Sequence, residues 1–156
     1  MKKIVFLCLL FIGLTSVAQE AKWYDNFDEA AKISKKTNKP ILANFTGSDW
    51  CGWCIRLDKE VFSKKEFQEW AKDNVVLLTV DFPRRKQIPQ DVAALNKSLE
   101  QAFGVRGYPT IWLFGITDLA NPKKDLIPYG KTGYVKGGAQ KWIESISPYL
   151  PKNKKS

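Results

Sequence analysis

Apolar positions along this chain follow two alternating periods. Trp23, Phe27, Ala30, Ala31 and Ser34 share one face of a 3.6-residue repeat, with Asp28 and Glu29 in the early turns, so a helix is expected there. Asn38-Lys39-Pro40 ends it. Ile41 to Phe45 is apolar except for Asn44 and reads as a buried strand. Thr46-Gly47-Ser48-Asp49 has turn and capping chemistry, and predicts a helix from about Cys51 to Phe62. Ser63-Lys64-Lys65-Glu66 matches a capping box that opens a second short helix through Phe67, Trp70 and Ala71. Val75 to Val80 is a β-branched, apolar run and predicts a second central strand.

The second half is patterned in the same way. Phe82 to Pro89 is polar, basic and proline-bearing, hence a loop. Val92, Leu95, Leu99 and Phe103 give Asp91–Phe103 a helical stripe. Gly104 to Pro109 is a tight irregular segment before a third strand, Thr110–Phe114. Leu126–Gly130 is a weaker fourth strand, which Pro128 confines to an edge. Gly137 and Gly138 precede a last helix through Trp142, Ile143 and Ile146, ended by Pro148 and Pro151. Strands alternating with helices predict an α/β chain whose central sheet is covered by helices on both faces.

The chemistry concentrates at Cys51-Gly52-Trp53-Cys54, where the first strand gives way to the second helix. Positions i and i+3 lie on one helical face, so these thiols can close into a disulfide and reopen with little backbone movement. So short a loop removes little chain entropy when closed, which makes the pair a poor staple and suits it to redox work.

Composition narrows the remaining choices. The 156 residues hold three cysteines and no histidine. A Cys-His or Ser-His nucleophilic site is therefore excluded within the chain, as is a four-ligand Cys/His zinc site. Haem attachment of the Cys-x-x-Cys-His type fails because Ile55 follows Cys54. No metal ligand set and no cofactor are expected beyond the Cys51–Cys54 pair itself.

At the N-terminus, Lys2 and Lys3 precede an apolar run from Ile4 to Leu14, and Ser16-Val17-Ala18 supplies small residues for cleavage. Residues 1–18 are expected to be a signal peptide cut before Gln19, leaving 19–156 as a single domain with a short basic tail. The run falls short of the roughly 18 residues of a membrane anchor. Cys8 leaves with the peptide, so the mature chain keeps two cysteines in a compartment where disulfides persist. Loss of Lys2 and Lys3 lowers the net charge of +9 by two. The remaining cations form small clusters at Lys35-Lys36, Lys64-Lys65, Arg84-Arg85-Lys86, Lys123-Lys124 and Lys152–Lys155. They read as a solvated surface with weak attraction to acidic partners or membrane. No base-reading motif accompanies them, so no nucleic acid is expected.

With Trp50 ahead of the cysteines and Gly107-Tyr108-Pro109-Thr110 before a later core strand, the chain from about Trp23 to Leu150 resembles the thioredoxin superfamily. The stretch from Phe45-Thr46-Gly47-Ser48-Asp49-Trp50 through Val61-Phe62 also looks like an exported thioredoxin-like branch of bacterial envelopes. The resemblance implies a thioredoxin fold with a central mixed β-sheet, and a cis bond at Tyr108–Pro109 facing the Cys-x-x-Cys. It also implies that the buried acid of thioredoxins is replaced by Asn44, and its lysine partner by Leu77 or a neighbour. A neutral amide cannot serve as a base. Trp53 stands where thioredoxin usually has proline, and the segment from Asp81 to Pro109 is longer than in a minimal thioredoxin.

These features imply a thiol–disulfide oxidoreductase of the cell envelope that reduces or isomerises protein disulfides. Cys51 at a helix N-terminus would be the nucleophile and Cys54 the resolving thiol. Trp50, Trp53, Tyr108 and Pro109 are the candidate substrate-binding residues, while Trp23, Trp70, Trp112 and Trp142 are read as core. Asp49 is read as a cap rather than a proton-handling group. The expected partners are disulfide-bearing proteins and a membrane thiol donor for re-reduction. With no histidine between the cysteines, a potential nearer about −270 mV than about −120 mV is expected. The alternative is a thioredoxin-fold binding module whose cysteine pair is only a local disulfide.

Overall fold

Asn26 starts the first helix, its side chain accepting a hydrogen bond from the Glu29 N–H at 3.1 Å. That helix, α1 (Phe27–Thr37), ends at Asn38, whose φ of 55° is the left-handed cap. The computed structural model describes residues 21–117 and 125–152. The expected signal peptide, Cys8, the Lys123-Lys124 cluster and the tail beyond Lys152 lie outside them.

Five strands form one mixed sheet. They are β1 (Trp23–Tyr24), β2 (Ile41–Thr46), β3 (Val76–Asp81), β4 (Thr110–Ile116) and β5 (Leu126–Thr132), in the order β1-β3-β2-β4-β5. The β1, β3 and β2 strands are parallel, while β4 is antiparallel to both β2 and β5. Central position explains why Ile41–Thr46 and Val76–Asp81 are apolar on both faces. Pro128 lies on β5, at the edge, where its missing N–H costs no ladder bond.

The helices split between the two faces. On one side α1 and α4 (Gln90–Ala102) pack Phe27, Ala30, Ala31 and Leu99 against Ile41, Ala43, Phe45, Leu78 and Phe114. On the other, α2 (Gly52–Leu57), α3 (Lys65–Asn74) and α5 (Gly138–Ile146) cover Leu42, Leu77, Ile111 and Leu113. Trp142 of α5 is fully buried there among Phe62, Phe67 and Trp70, at ring separations of 5.4, 5.6 and 6.5 Å. The α/β reading with helices on both faces holds.

Three local readings are corrected. Trp23 is not on α1; it forms β1 opposite Leu77 and packs on Phe62 at 5.1 Å. Its spacing from Phe27 imitates a helical face, but the β3 edge captures it first. The helix expected over Cys51–Phe62 changes period at Asp58. Residues Asp58–Phe62 form a π turn, closed by the Ser63 N–H donating to the Asp58 carbonyl at 2.9 Å. The wider turn brings Phe62 onto the face of Leu57, so Leu57, Val61 and Phe62 are all buried. The Ser63 capping box does not form, because the Ser63 hydroxyl donates to the carbonyls of Asp58 and Lys59 instead. Lys64 becomes the N-cap, without a side-chain bond.

Candidate functional site

The end of β2 turns sharply into α2. Cys51 N–H donates to the Gly47 carbonyl at 2.8 Å, and Trp50 N–H reaches the same oxygen at 3.2 Å. Gly47 allows this fold-back, since a Cβ there would meet the Trp50 ring at 2.4 Å. Ser48 is tied to the end of β3: its N–H and hydroxyl donate to the Asp81 carboxylate at 2.9 and 2.7 Å. Burial disfavours charge on Asp81, but hydrogen bonds from Lys86 and Ser48 outweigh it and hold the carboxyl below its usual range.

Cys51 is the N-cap of α2, and the sequence places no acid in that helix's first turn. Its Sγ accepts the Cys54 N–H at 3.2 Å. The two cysteines are joined by a disulfide across a Cα–Cα distance of 5.2 Å. Both are nearly enclosed, at 7% and 5% exposure, so burial hardly separates them. Their surroundings do. Cys54 lines a cavity of about 310 Å³ in which the polar side chains of Asn44, Thr46, Ser48, Asp58 and Thr79 alternate with the apolar walls of Trp23, Ile55 and Phe62. Asn44 faces Thr79 on β3, which is the neighbour standing across from it, while Leu77 pairs with Leu42. The Asn44 Oδ1 is buried without a hydrogen-bond partner among the described residues.

The aromatic residues expected in one pocket divide between two sides of the disulfide. On one side Trp50 meets Tyr108 edge-on at 5.8 Å, and its indole N–H donates to the Phe82 carbonyl at 2.8 Å. Tyr108 also stacks on Phe82 at 5.2 Å, and its hydroxyl donates to Glu100 on α4. Burial first, then the Glu100 carboxylate, push the Tyr108 phenol well above its usual range. Burial works against charge on Glu100, but Lys97 and Tyr108 together hold its carboxyl down. The Tyr108–Pro109 peptide bond is cis.

On the other side Trp53 is 55% exposed and leans on Tyr134 at 5.1 Å. Arg56 lies 5.5 Å from the Trp53 ring and 5.8 Å from the Tyr134 ring, and forms a 2.7 Å ion pair with Glu60. Tyr134 also donates to Glu60. The Arg56 hydrogen bond, then that of Tyr134, hold the Glu60 carboxyl below its usual range. Trp142 anchors this side from beneath, its indole N–H donating to the Gly133 carbonyl at 2.9 Å.

Sequence reasoning missed Tyr134, Arg56 and Glu60 as a unit. The Arg56–Glu60 spacing was readable as a helical i, i+4 pair, whereas Tyr134 carries no local sign of where it lands. The loop that follows Asp81 was also under-read. Asp49 is not in the thiol cavity; its carboxylate accepts the backbone N–H groups of Arg84, Arg85 and Lys86, at 3.0, 2.7 and 3.1 Å. Arg84 then lays its guanidinium 3.7 Å from the Trp50 ring centre. Among the tryptophans read as core, Trp142 is buried, whereas Trp23, Trp70 and Trp112 are half-buried.

Known proteins are similar to this chain in sequence and fold. Residues 27–118 match the family described as a thioredoxin-like domain. The disulfide bond reductase DsbH of Chlamydia pneumoniae is 30% identical over 118 residues, spanning 76% of this chain and 70% of that protein. The thioredoxin-related protein DsbJ of the same organism is 25% identical over 142 residues, 85% of this chain but only 39% of DsbJ. A solved DsbH oxidoreductase superposes with a TM-score of 0.73 at 27% identity, covering 85% of each chain. A thioredoxin from Thermus thermophilus superposes at 0.58 with 12% identity over 83% of this chain and 87% of its own, a likeness of fold alone. The sheet order, the cysteine pair opening α2 and the match over residues 27–118 lead to one assignment: this chain belongs to the thioredoxin-like family.

Proposed function

We propose that this protein is an exported thiol–disulfide oxidoreductase that works mainly as a reductase of protein disulfides. One observation carries the reading: a thioredoxin-like chain places the Cys51–Cys54 pair at the start of α2, with the Cys51 sulfur receiving a helix amide. That amide favours negative charge on the sulfur, and the thiolate is the attacking species. The names of the relatives, a disulfide bond reductase and a thioredoxin-related protein, support the same direction.

In the cycle, the reduced pair meets a substrate disulfide. The Cys51 thiolate attacks one substrate sulfur, forms a mixed disulfide and expels the other sulfur as a thiolate. Cys54 then loses its proton and attacks the Cys51 sulfur, releasing the second substrate thiol. The substrate gains two electrons and the enzyme is left as the Cys51–Cys54 disulfide. A thiol donor at the membrane restores the dithiol, and no cofactor enters. Asn44 cannot take the Cys54 proton as a carboxylate would, so the proton leaves through the cavity that Cys54 lines with Asn44 and Asp58. Trp50, Tyr108 and Pro109 form one wall for the substrate segment and Trp53 the other. Residues 1–18 act as the export signal, and no helix among the described residues is long and apolar enough to cross a membrane.

Insulin reduction tests the reading directly. Turnover by the mature protein should vanish in Cys51→Ala, whereas Cys54→Ala should accumulate mixed disulfides with its substrates. Unchanged turnover in Cys51→Ala would refute the assignment, and absence of turnover in the native protein would favour a binding module. The equilibrium potential of the pair separates the directions. A value near about −270 mV supports reduction, and one above about −170 mV marks an oxidant.

A further inference from the structure

The cleft beside Trp53 lies between α2 and the Gly133–Gly138 turn that leads into α5. Its volume is about 550 Å³, and its walls include Trp53, Arg56, Glu60, Lys64, Tyr134 and Lys136. Trp53 separates Gly52 from Cys54, so the cleft adjoins the reacting pair along the chain itself. The floor is aromatic, made by Trp53 and Tyr134 with Arg56 spanning both rings.

Charge on this floor is one-sided. Three cations face the cleft against a single carboxylate. That carboxylate, Glu60, is already taken by Arg56 and Tyr134. Lys64 and Lys136 are exposed and hold no ion pair among the described residues. On the Trp50 flank of the disulfide, Asp49 and Asp81 are consumed in the same way, while Asp58 stays in the cavity behind Cys54. Asp49 is committed to three backbone amides and Asp81 to Ser48 and Lys86, while Arg84 lies over Trp50 and pairs with no carboxylate among the described residues.

We propose that the Trp53–Tyr134 cleft docks an acidic segment of the substrate protein, with carboxylates close to the cysteine under attack. This rests on the oxidoreductase reading above and names the class of substrate it would prefer. The apolar parts of the segment lie on the two rings, and its carboxylates reach Lys64 and Lys136. Such complementarity sets selection and association rate more than total affinity.

Two peptide disulfides of equal length, one with glutamates and one with lysines beside the bridged cysteine, test the proposal. The native protein should reduce the glutamate peptide with a kcat/KM about tenfold higher at low ionic strength. The ratio should approach one above about 0.5 M salt. Lys64→Glu with Lys136→Glu should abolish or invert the ratio. Lys64→Gln with Lys136→Gln, which adds no acid, should lower it to about threefold. Lys32→Glu with Lys36→Glu on α1 changes the net charge by the same amount on the opposite face of the sheet, and should leave the ratio intact. Equal reduction of both peptides by the native protein overturns the docking proposal and leaves the oxidoreductase reading standing. An equal loss of preference in the α1 variant also overturns it, since overall charge would then suffice. Failure to reduce either peptide sinks the oxidoreductase reading itself.

Discussion

Asp81 ends β3 as a buried acid, yet it is charged because Ser48 and Lys86 surround it with donors. Its carboxyl is held below the ordinary value of 3.8. A depressed folded value means that the stabilisation is complete above the unfolded value. It is lost as pH falls through the folded one, below about pH 4. Asp81→Asn should therefore cost about 2 kcal/mol at pH 7, where it removes charge-assisted bonds. The gap should narrow as the pH approaches 3. Urea unfolding of both proteins across that range checks this, and a gap independent of pH would contradict the account. The turn that Asp81 supports leads directly to Trp50 and Cys51. The cysteine pair was legible in the sequence because its chemistry is contained in four consecutive residues. Asp81 was not, because its partners Ser48 and Lys86 lie on separate segments that only the sheet brings together.

At the scale of elements, the alternating periods located every long helix and the central strands, since each buries a face that repeats along the sequence. Errors arose where a contact outside the element overrode the period. Trp23 sits four residues before Phe27 and so reads as helix, but it pairs with Leu77 at the edge of the sheet. Past Leu57 the helix widens so that Phe62 joins the core, a demand set by Trp23, Phe67 and Trp142 rather than by local propensity. Ser63 closes that turn through two carbonyls. Ser63→Ala should cost about 1 kcal/mol in denaturant unfolding. It should also raise exchange of the backbone amide at position 63, while α3 keeps its helicity. An unchanged exchange rate would show that the hydroxyl does not hold the turn.

Across the molecule, the packed face formed by α2, α3 and α5 is joined to the cleft beside Trp53 by Trp142. Trp142 fills the core and also holds the Gly133 carbonyl beside Tyr134. Trp142→Phe retains an aromatic ring but loses that bond and some volume, and should destabilise the fold by about 2 kcal/mol. The same change should move the Trp53 indole N–H resonance, because Tyr134 is its neighbour; a stationary resonance would uncouple core from cleft. The loop held by Asp49 is built differently. That carboxylate grips the main chain at residues 84–86 and does not depend on what the side chains are. A lineage or an engineer can rewrite Arg84 and Arg85, for any residue but proline, without changing the path of the loop, whereas Lys86 is fixed by its ion pair with Asp81. The surface chemistry of that flank is thus free to diverge while the turn next to Cys51 stays constant.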